Sequence, residues 1–92
     1  MQITFDPAKN ERNIRERALP FDMAAELDLT KALIQVDTRK TYGETRYVAL
    51  GHFRGRLHVL CFTETTDGIR VISFRKANER EVKRHAQTQT PD

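Results

Sequence analysis

Ninety-two residues make one small domain with a single modest core. With 38% hydrophobic against 32% charged residues, that core is thin enough to expect completion against a partner. No apolar run reaches membrane-spanning length, no basic-then-apolar leader opens the chain, and one cysteine makes no internal disulfide. These features exclude a membrane partner and a disulfide scaffold, and imply a soluble, cytoplasmic protein. The net charge is +3, unevenly spread: residues 1–30 carry −2, while 39–58 and 69–85 carry +4 each. Such clustering suits a polyanion or an acidic partner segment, and equally a set of solvated strands and one surface helix.

Taken in order, residues 2–5 form a short strand. Asp6-Pro7 then opens a helix over 7–17, with aspartate as cap and proline at the first helical position. Ala8, Ile14 and Ala18 are its apolar contacts. Pro20 ends this segment, and a second helix over 21–27 offers Phe21, Ala24 and Ala25 on one face. Residues 31–37 alternate as a half-buried strand, with Ala32, Ile34 and Val36 inward, Lys31, Gln35 and Asp37 outward, and Leu33 the exception. A loop over 38–43 leads to strands 45–53 and 56–63, joined by the turn pair Arg54-Gly55, and then to a strand over 69–75 after the turn pair Asp67-Gly68. Asn78 with Glu81 three residues on makes a capping-box variant that opens a last helix to about residue 86, with Ala77, Val82 and Ala86 for packing and a frayed tail over 87–92.

Those two turns sort the strands by period two. Val48, Leu50, Val59, Cys61, Ile72 and Phe74 fall on one face, the core beneath the helices. Tyr47, Phe53, His58, Leu60, Phe62, Val71, Ser73 and Arg75 fall on the other, which is left uncovered as a binding surface, with a tail helix lying over it as the alternative. The fold class is α+β: a mostly antiparallel sheet of four to five strands, two N-terminal helices and one C-terminal helix, in a single domain over 1–92.

No phosphate-cradling glycine loop, metal-spaced Cys/His set or serine elbow is present, so no cofactor and no metal is expected. His52 and His58 fall on opposite faces of the hairpin, and Cys61, in the run Val59-Leu60-Cys61-Phe62, reads as a packed thiol. What remains is arginine. Arg39, Arg46, Arg70 and Arg75 suit a phosphodiester, because a guanidinium makes two parallel bonds to phosphate oxygens. Tyr42, Glu44 and His58 are groups able to move protons. Each has a plain alternative, such as a strand-end ion pair for Glu44 with Arg46 or a turn filler for Tyr42-Gly43.

The order of these residues resembles a known family. Phe5-Asp6, Lys9, Asn13, Asp37-Thr38-Arg39, Tyr42-Gly43-Glu44, Arg46, Gly55-Arg56, and Arg70-Val71-Ile72-Ser73 with Arg75-Lys76-Ala77 and Glu81 look like BrnT-type toxins, which resemble the wider RelE/ParE group. The resemblance implies a toxin of a type II toxin–antitoxin system: a metal-independent endoribonuclease that cleaves mRNA and arrests translation. It also implies a ribbon-helix-helix antitoxin, of the BrnA kind, that covers the toxin and through which alone operator DNA is bound. On this resemblance Arg17, Glu44, Arg46, Arg75 and His58 are the catalytic candidates, and Arg39, Tyr42, Arg70 and Lys76 contact RNA. One position departs from the pattern. Many relatives carry Lys-His-Gly where this chain has Glu16-Arg17-Ala18, and arginine stays protonated, so Arg17 can stabilise a phosphorane but cannot act as base. The base is then another group, with Glu44, His58 or the late His85 as candidates, or the activity is weak. A gyrase-directed toxin of the same fold and a non-catalytic corepressor are the rival readings.

Overall fold

The computed structural model describes residues 1–39 and 41–89; part of the expected loop (Lys40) and the end of the expected tail (90–92) lie outside the described residues. Its elements are β1 (Gln2–Phe5), α1 (Pro7–Arg17), a 3-10 helix (Phe21–Glu26), β2 (Leu33–Val36), β3 (Tyr47–Phe53), β4 (Arg56–Glu64), β5 (Gly68–Lys76) and α2 (Glu79–Gln89). The strands form one sheet in the order β1-β5-β4-β3-β2. It is mixed: β1 runs parallel to β5, and every other pairing is antiparallel.

Local chemistry accounts for most of these boundaries. The Asp6 carboxylate accepts from the Ala8 N–H at 2.9 Å, with Pro7 opening α1 behind it. At the other end Ala18 takes the left-handed conformation, φ 53° and ψ 37°, and its N–H closes on the Ile14 carbonyl at 2.8 Å. The β3–β4 turn has positive φ at both central residues, Arg54 at 50° and Gly55 at 78°, the geometry that matches the twist of a two-residue hairpin. The second expected helix is a 3-10 helix instead. Its entry is held by the Asn10 side chain, whose Oδ1 accepts the Phe21 N–H at 2.8 Å. The last helix extends beyond the expected end, through Gln89, so the fraying expected from residue 87 is not found in 87–89.

Two clusters fill the two faces. The larger joins Leu19, Phe21, Ala24 and Leu27 to Ala49, Phe53, Leu60, Phe62, Ile69, Val71 and Phe74. The smaller joins Leu50, Leu57, Val59 and Ala77, with Leu33 and Val48 against them. The expected face assignment is therefore reversed: α1 and the 3-10 helix lie on the Tyr47–Leu60–Phe62 side. The sorting within β3 and β4 holds, but half of β5 changes face. The β4–β5 turn sits one residue earlier than Asp67-Gly68, since Glu64 pairs with Ile69 and the Thr65 N–H meets the Gly68 carbonyl at 2.9 Å. That slip of two in register preserves facing, so Val71 stays beside Phe62. A bulge at Ile72 then inverts the parity, putting Ser73 opposite Cys61, Phe74 opposite Leu60 and Arg75 opposite Val59. Gly68 serves close packing here, because a Cβ would overlap the Gln2 backbone of β1.

Neither face is left bare. The polar α2 lies on the second face, its buried His85 edge-on to His52 with ring centroids 5.4 Å apart, while Val82 stays 46% exposed. β2 also differs from expectation. Ile34 and Val36 are exposed, Leu33 is the residue that packs inward, and Asp37 is buried. Being an edge strand, β2 passes beyond the reach of the helices that cover the neighbouring Ala49. On the first face α1 docks through polar groups, and Ile14 is exposed. The buried Asn13 amide donates to Leu19 O at 2.8 Å and to Phe74 O at 2.9 Å, just past the point where β1 stops pairing with β5.

Candidate functional site

The second sheet face carries an ordered set of charges because four strands present them in register. At one end Asp37, following β2, stands beside Arg46, its N–H bonded to the Arg46 carbonyl at 2.8 Å; Thr63 and Arg70 continue the row as partners on β4 and β5. One step along are Val48, Cys61 and Ser73, and the next step reaches Leu50, Val59 and Arg75. Period two on four strands thus turns scattered arginines into one surface.

Asp37 organises the loop end. Its side chain is 2% exposed, and a carboxylate that deep needs donors. It accepts from Arg39 Nε at 2.9 Å, Arg39 Nη2 at 2.8 Å, the Arg39 N–H at 3.1 Å and the Tyr42 hydroxyl at 3.0 Å. The Arg39 bonds hold its carboxyl well below the usual range, overriding the burial that pushes it up. The Tyr42 ring in turn lies under the Arg46 guanidinium, 4.0 Å from its centroid. Arg46 Nε donates to Glu44 at 3.1 Å, and Arg70 Nη2 donates to both Glu44 oxygens at 3.0 and 2.9 Å. The spacing D-x-R-x-x-Y-G-E-x-R is one continuous network, turned through Gly43 at φ 76°.

The opposite wall is built by β5 and α2. Arg75 donates two parallel bonds to Glu81, at 2.8 and 2.9 Å. Glu81 also closes the capping box, its Oε1 accepting the Asn78 N–H at 2.9 Å while Asn78 Oδ1 accepts the Glu81 N–H at 2.9 Å. The Arg75 bonds are the main reason the Glu81 carboxyl is lowered to about 2. Between the walls lies a cleft of about 400 Å³, floored by Val48, Val59, Cys61 and Ser73 and edged by Asp37, Arg39, Arg75, Glu81 and Arg84. The Cys61 thiol is buried and pushed up by desolvation, the state of a packed rather than a nucleophilic cysteine.

The expected site residues divide into three groups. Arg39 and Arg75 edge the cleft, and Tyr42, Glu44, Arg46 and Arg70 form the network at its end. Arg17 and Lys76 share a second groove with Arg75, along the edge of β5 that β1 leaves open, so Arg75 belongs to both grooves. Arg17 is oriented by a 2.6 Å bond to Asn13 Oδ1. His58 is apart from all of them. It lies on the other face, 4% exposed, its ring against Phe53 and Phe74 and its Nδ1 2.8 Å from the Arg56 carbonyl. Burial holds it below the ordinary histidine value, so it is a neutral packing group. Glu44, shared by two arginines that lower its pKa, is a clamp and a weak base. Sequence reasoning did not name Asp37, Glu81 or Arg84 as site residues; Asp37 and Glu81 entered only through the family pattern, and Glu81 also through the capping-box spacing. Among the described residues no three His, Cys, Asp or Glu side chains gather as a metal site requires.

A family described as "Ribonuclease toxin, BrnT, of type II toxin-antitoxin system" matches residues 5–81, which takes in the whole network from Asp37 to Glu81. The chain belongs to the BrnT family. No curated protein and no solved structure matched it. As a BrnT toxin it has a ribonuclease role, a protein antitoxin as partner and RNA as target. The matched segment carries the arginines of both cleft walls, Arg39, Arg46, Arg70 and Arg75.

Proposed function

We propose that this BrnT protein cleaves mRNA without a metal ion, by attack of a ribose 2′-hydroxyl on the adjacent phosphate, and so inhibits translation. The carrying observation is the arrangement of Arg39, Arg75 and Arg84 around one cleft with Ser73 on its floor. Guanidinium pairs match phosphate geometry and neutralise the charge that builds on the equatorial oxygens. Arg46 and Arg70 extend the positive row toward the next phosphate, and Arg17 and Lys76 extend it along the β5 edge. The partner in this reading is a ribbon-helix-helix antitoxin, and operator DNA is bound only through it.

The test is incubation of the purified protein with total RNA in excess chelator. Cleavage that persists in chelator and is reduced at least about 100-fold in Arg75→Ala supports the reading, as loss of an oxyanion-stabilising donor does. RNA left intact at high protein concentration would instead favour the corepressor reading. One observation does speak for that second reading: Arg39, Arg46, Arg70 and Arg75 each hold a carboxylate of their own chain.

A further inference from the structure

We infer that Glu81 is the proton acceptor of the cleavage reaction, kept out of use in the free protein by Arg75 and released when an RNA phosphate takes Arg75 from it. The inference rests on the ribonuclease reading and supplies the group that it lacks. Two facts converge on Glu81. It is the carboxylate at the cleft edge held by Arg75, the arginine common to both grooves. Glu44 is held at the far end by two arginines, and His58 faces away from the cleft.

The two-bond face that Arg75 gives Glu81 is the face that a phosphate needs, so carboxylate and phosphate compete for the same donors. When phosphate wins, Glu81 keeps the Asn78 N–H on Oε1, and Oε2 is left without its arginine, beside the captured phosphodiester. The loss of Arg75 removes the main cause of its low pKa and returns it toward ordinary carboxylate basicity. Substrate binding and base activation are then one event. The 2′-hydroxyl proton passes to Glu81 as the O2′–P bond forms; the P–O5′ bond breaks with its electron pair on O5′, which takes a proton from water. The resulting hydroxide removes the proton from Glu81. The products are a 2′,3′-cyclic phosphate and a 5′-hydroxyl. The charged and titratable groups around Glu81 are Arg75 from β5, Arg84 on its own helix, Cys61 from β4, and Asp37 and Arg39 after β2.

Glu81→Gln isolates the charge, because glutamine preserves the capping box with Asn78. Two measurements are paired: single-turnover cleavage of a short RNA across pH, and binding of the same RNA with 2′-O-methyl riboses, which cannot be cut. The expected variant binds the uncleavable RNA several-fold more tightly, since Arg75 is free, yet cleaves about 100-fold more slowly and loses the acid limb of the wild-type pH profile. A merely structural role would weaken binding and cleavage together, and that result overturns the inference. So does cleavage at the wild-type rate with an unchanged pH profile. If the wild-type protein itself leaves RNA intact, the ribonuclease reading fails first, an outcome distinct from a wild-type enzyme that cuts and a Glu81→Gln variant that cuts equally well.

Discussion

At the scale of single residues, carboxylates rather than arginines decide the character of this face. Four arginines along it are each oriented by an acid: Arg39 by Asp37, Arg46 and Arg70 by Glu44, Arg75 by Glu81. These pairs have a consequence for stability. Asp37, Glu44 and Glu81 all have carboxyl groups lowered in the folded chain. A lowered folded-state pKa contributes stability that is present above the unfolded value and lost as pH falls through the folded one. For Glu81 that window runs from its ordinary 4.5 down to about 2. Urea midpoints compared at pH 7 and pH 2.5 are expected to show the wild-type protein losing more stability than Glu81→Gln. The difference is on the order of 1 kcal/mol, since Arg75 is partly solvated and the pair is screened. Equal losses in both proteins would show that the ion pair adds nothing to folding. Arg39 was readable as a candidate phosphate ligand from its type alone. Asp37 was not, because period-two alternation puts it on the solvent side and only the donors from Arg39 and Tyr42 make its burial tolerable.

At the scale of elements, boundaries followed local signals, while packing faces did not. Asp6-Pro7, Arg54-Gly55 and the Asn78–Glu81 box mark element ends through chemistry that acts within four residues, so they were legible. α1 was legible as a helix lying on the sheet, but its expected apolar contacts are not what dock it. Its buried contact is Asn13, which satisfies two carbonyls far apart in the chain. Asn13→Ala should cost about 2 kcal/mol or more by leaving both carbonyls unpaired. That lowers the melting temperature by roughly 8–16 °C for a domain of this size, and a change of only a degree or two would mean that water replaces the amide. The helix end makes the opposite prediction. Ala18 holds φ 53° at a position that glycine adopts without a Cβ clash. Ala18→Gly is therefore expected to stabilise the protein by about 1 kcal/mol, raising the melting temperature by roughly 4–8 °C.

At the scale of the whole molecule, one residue separates the expected sheet from the actual one. Ile72 sits where β5 bulges, and because side-chain facing has a period of two, one extra residue transfers Ser73, Phe74 and Arg75 each to the opposite face. No propensity or turn signal announces that bulge, so the site could be read as a set of residues but not as a surface. The surface makes its own prediction. Single-stranded nucleic acid binding loses affinity with salt in proportion to the phosphates neutralised, with a slope of about −0.7 per phosphate. If Arg39, Arg75 and the Arg46–Arg70 pair each meet one phosphate, uncleavable RNA should bind with a log–log salt slope of about −2, and Arg75→Ala should reduce it by about 0.7. Absolute affinity should be modest, because each guanidinium must first leave its carboxylate. Anisotropy titrations between about 50 and 200 mM salt measure both quantities, a range over which such contacts change affinity strongly. A slope unchanged in Arg75→Ala would place the phosphates elsewhere, along Lys9, Arg12 and Arg17 on the groove beside α1. In that case the same titration with Arg17→Ala should show the missing decrement.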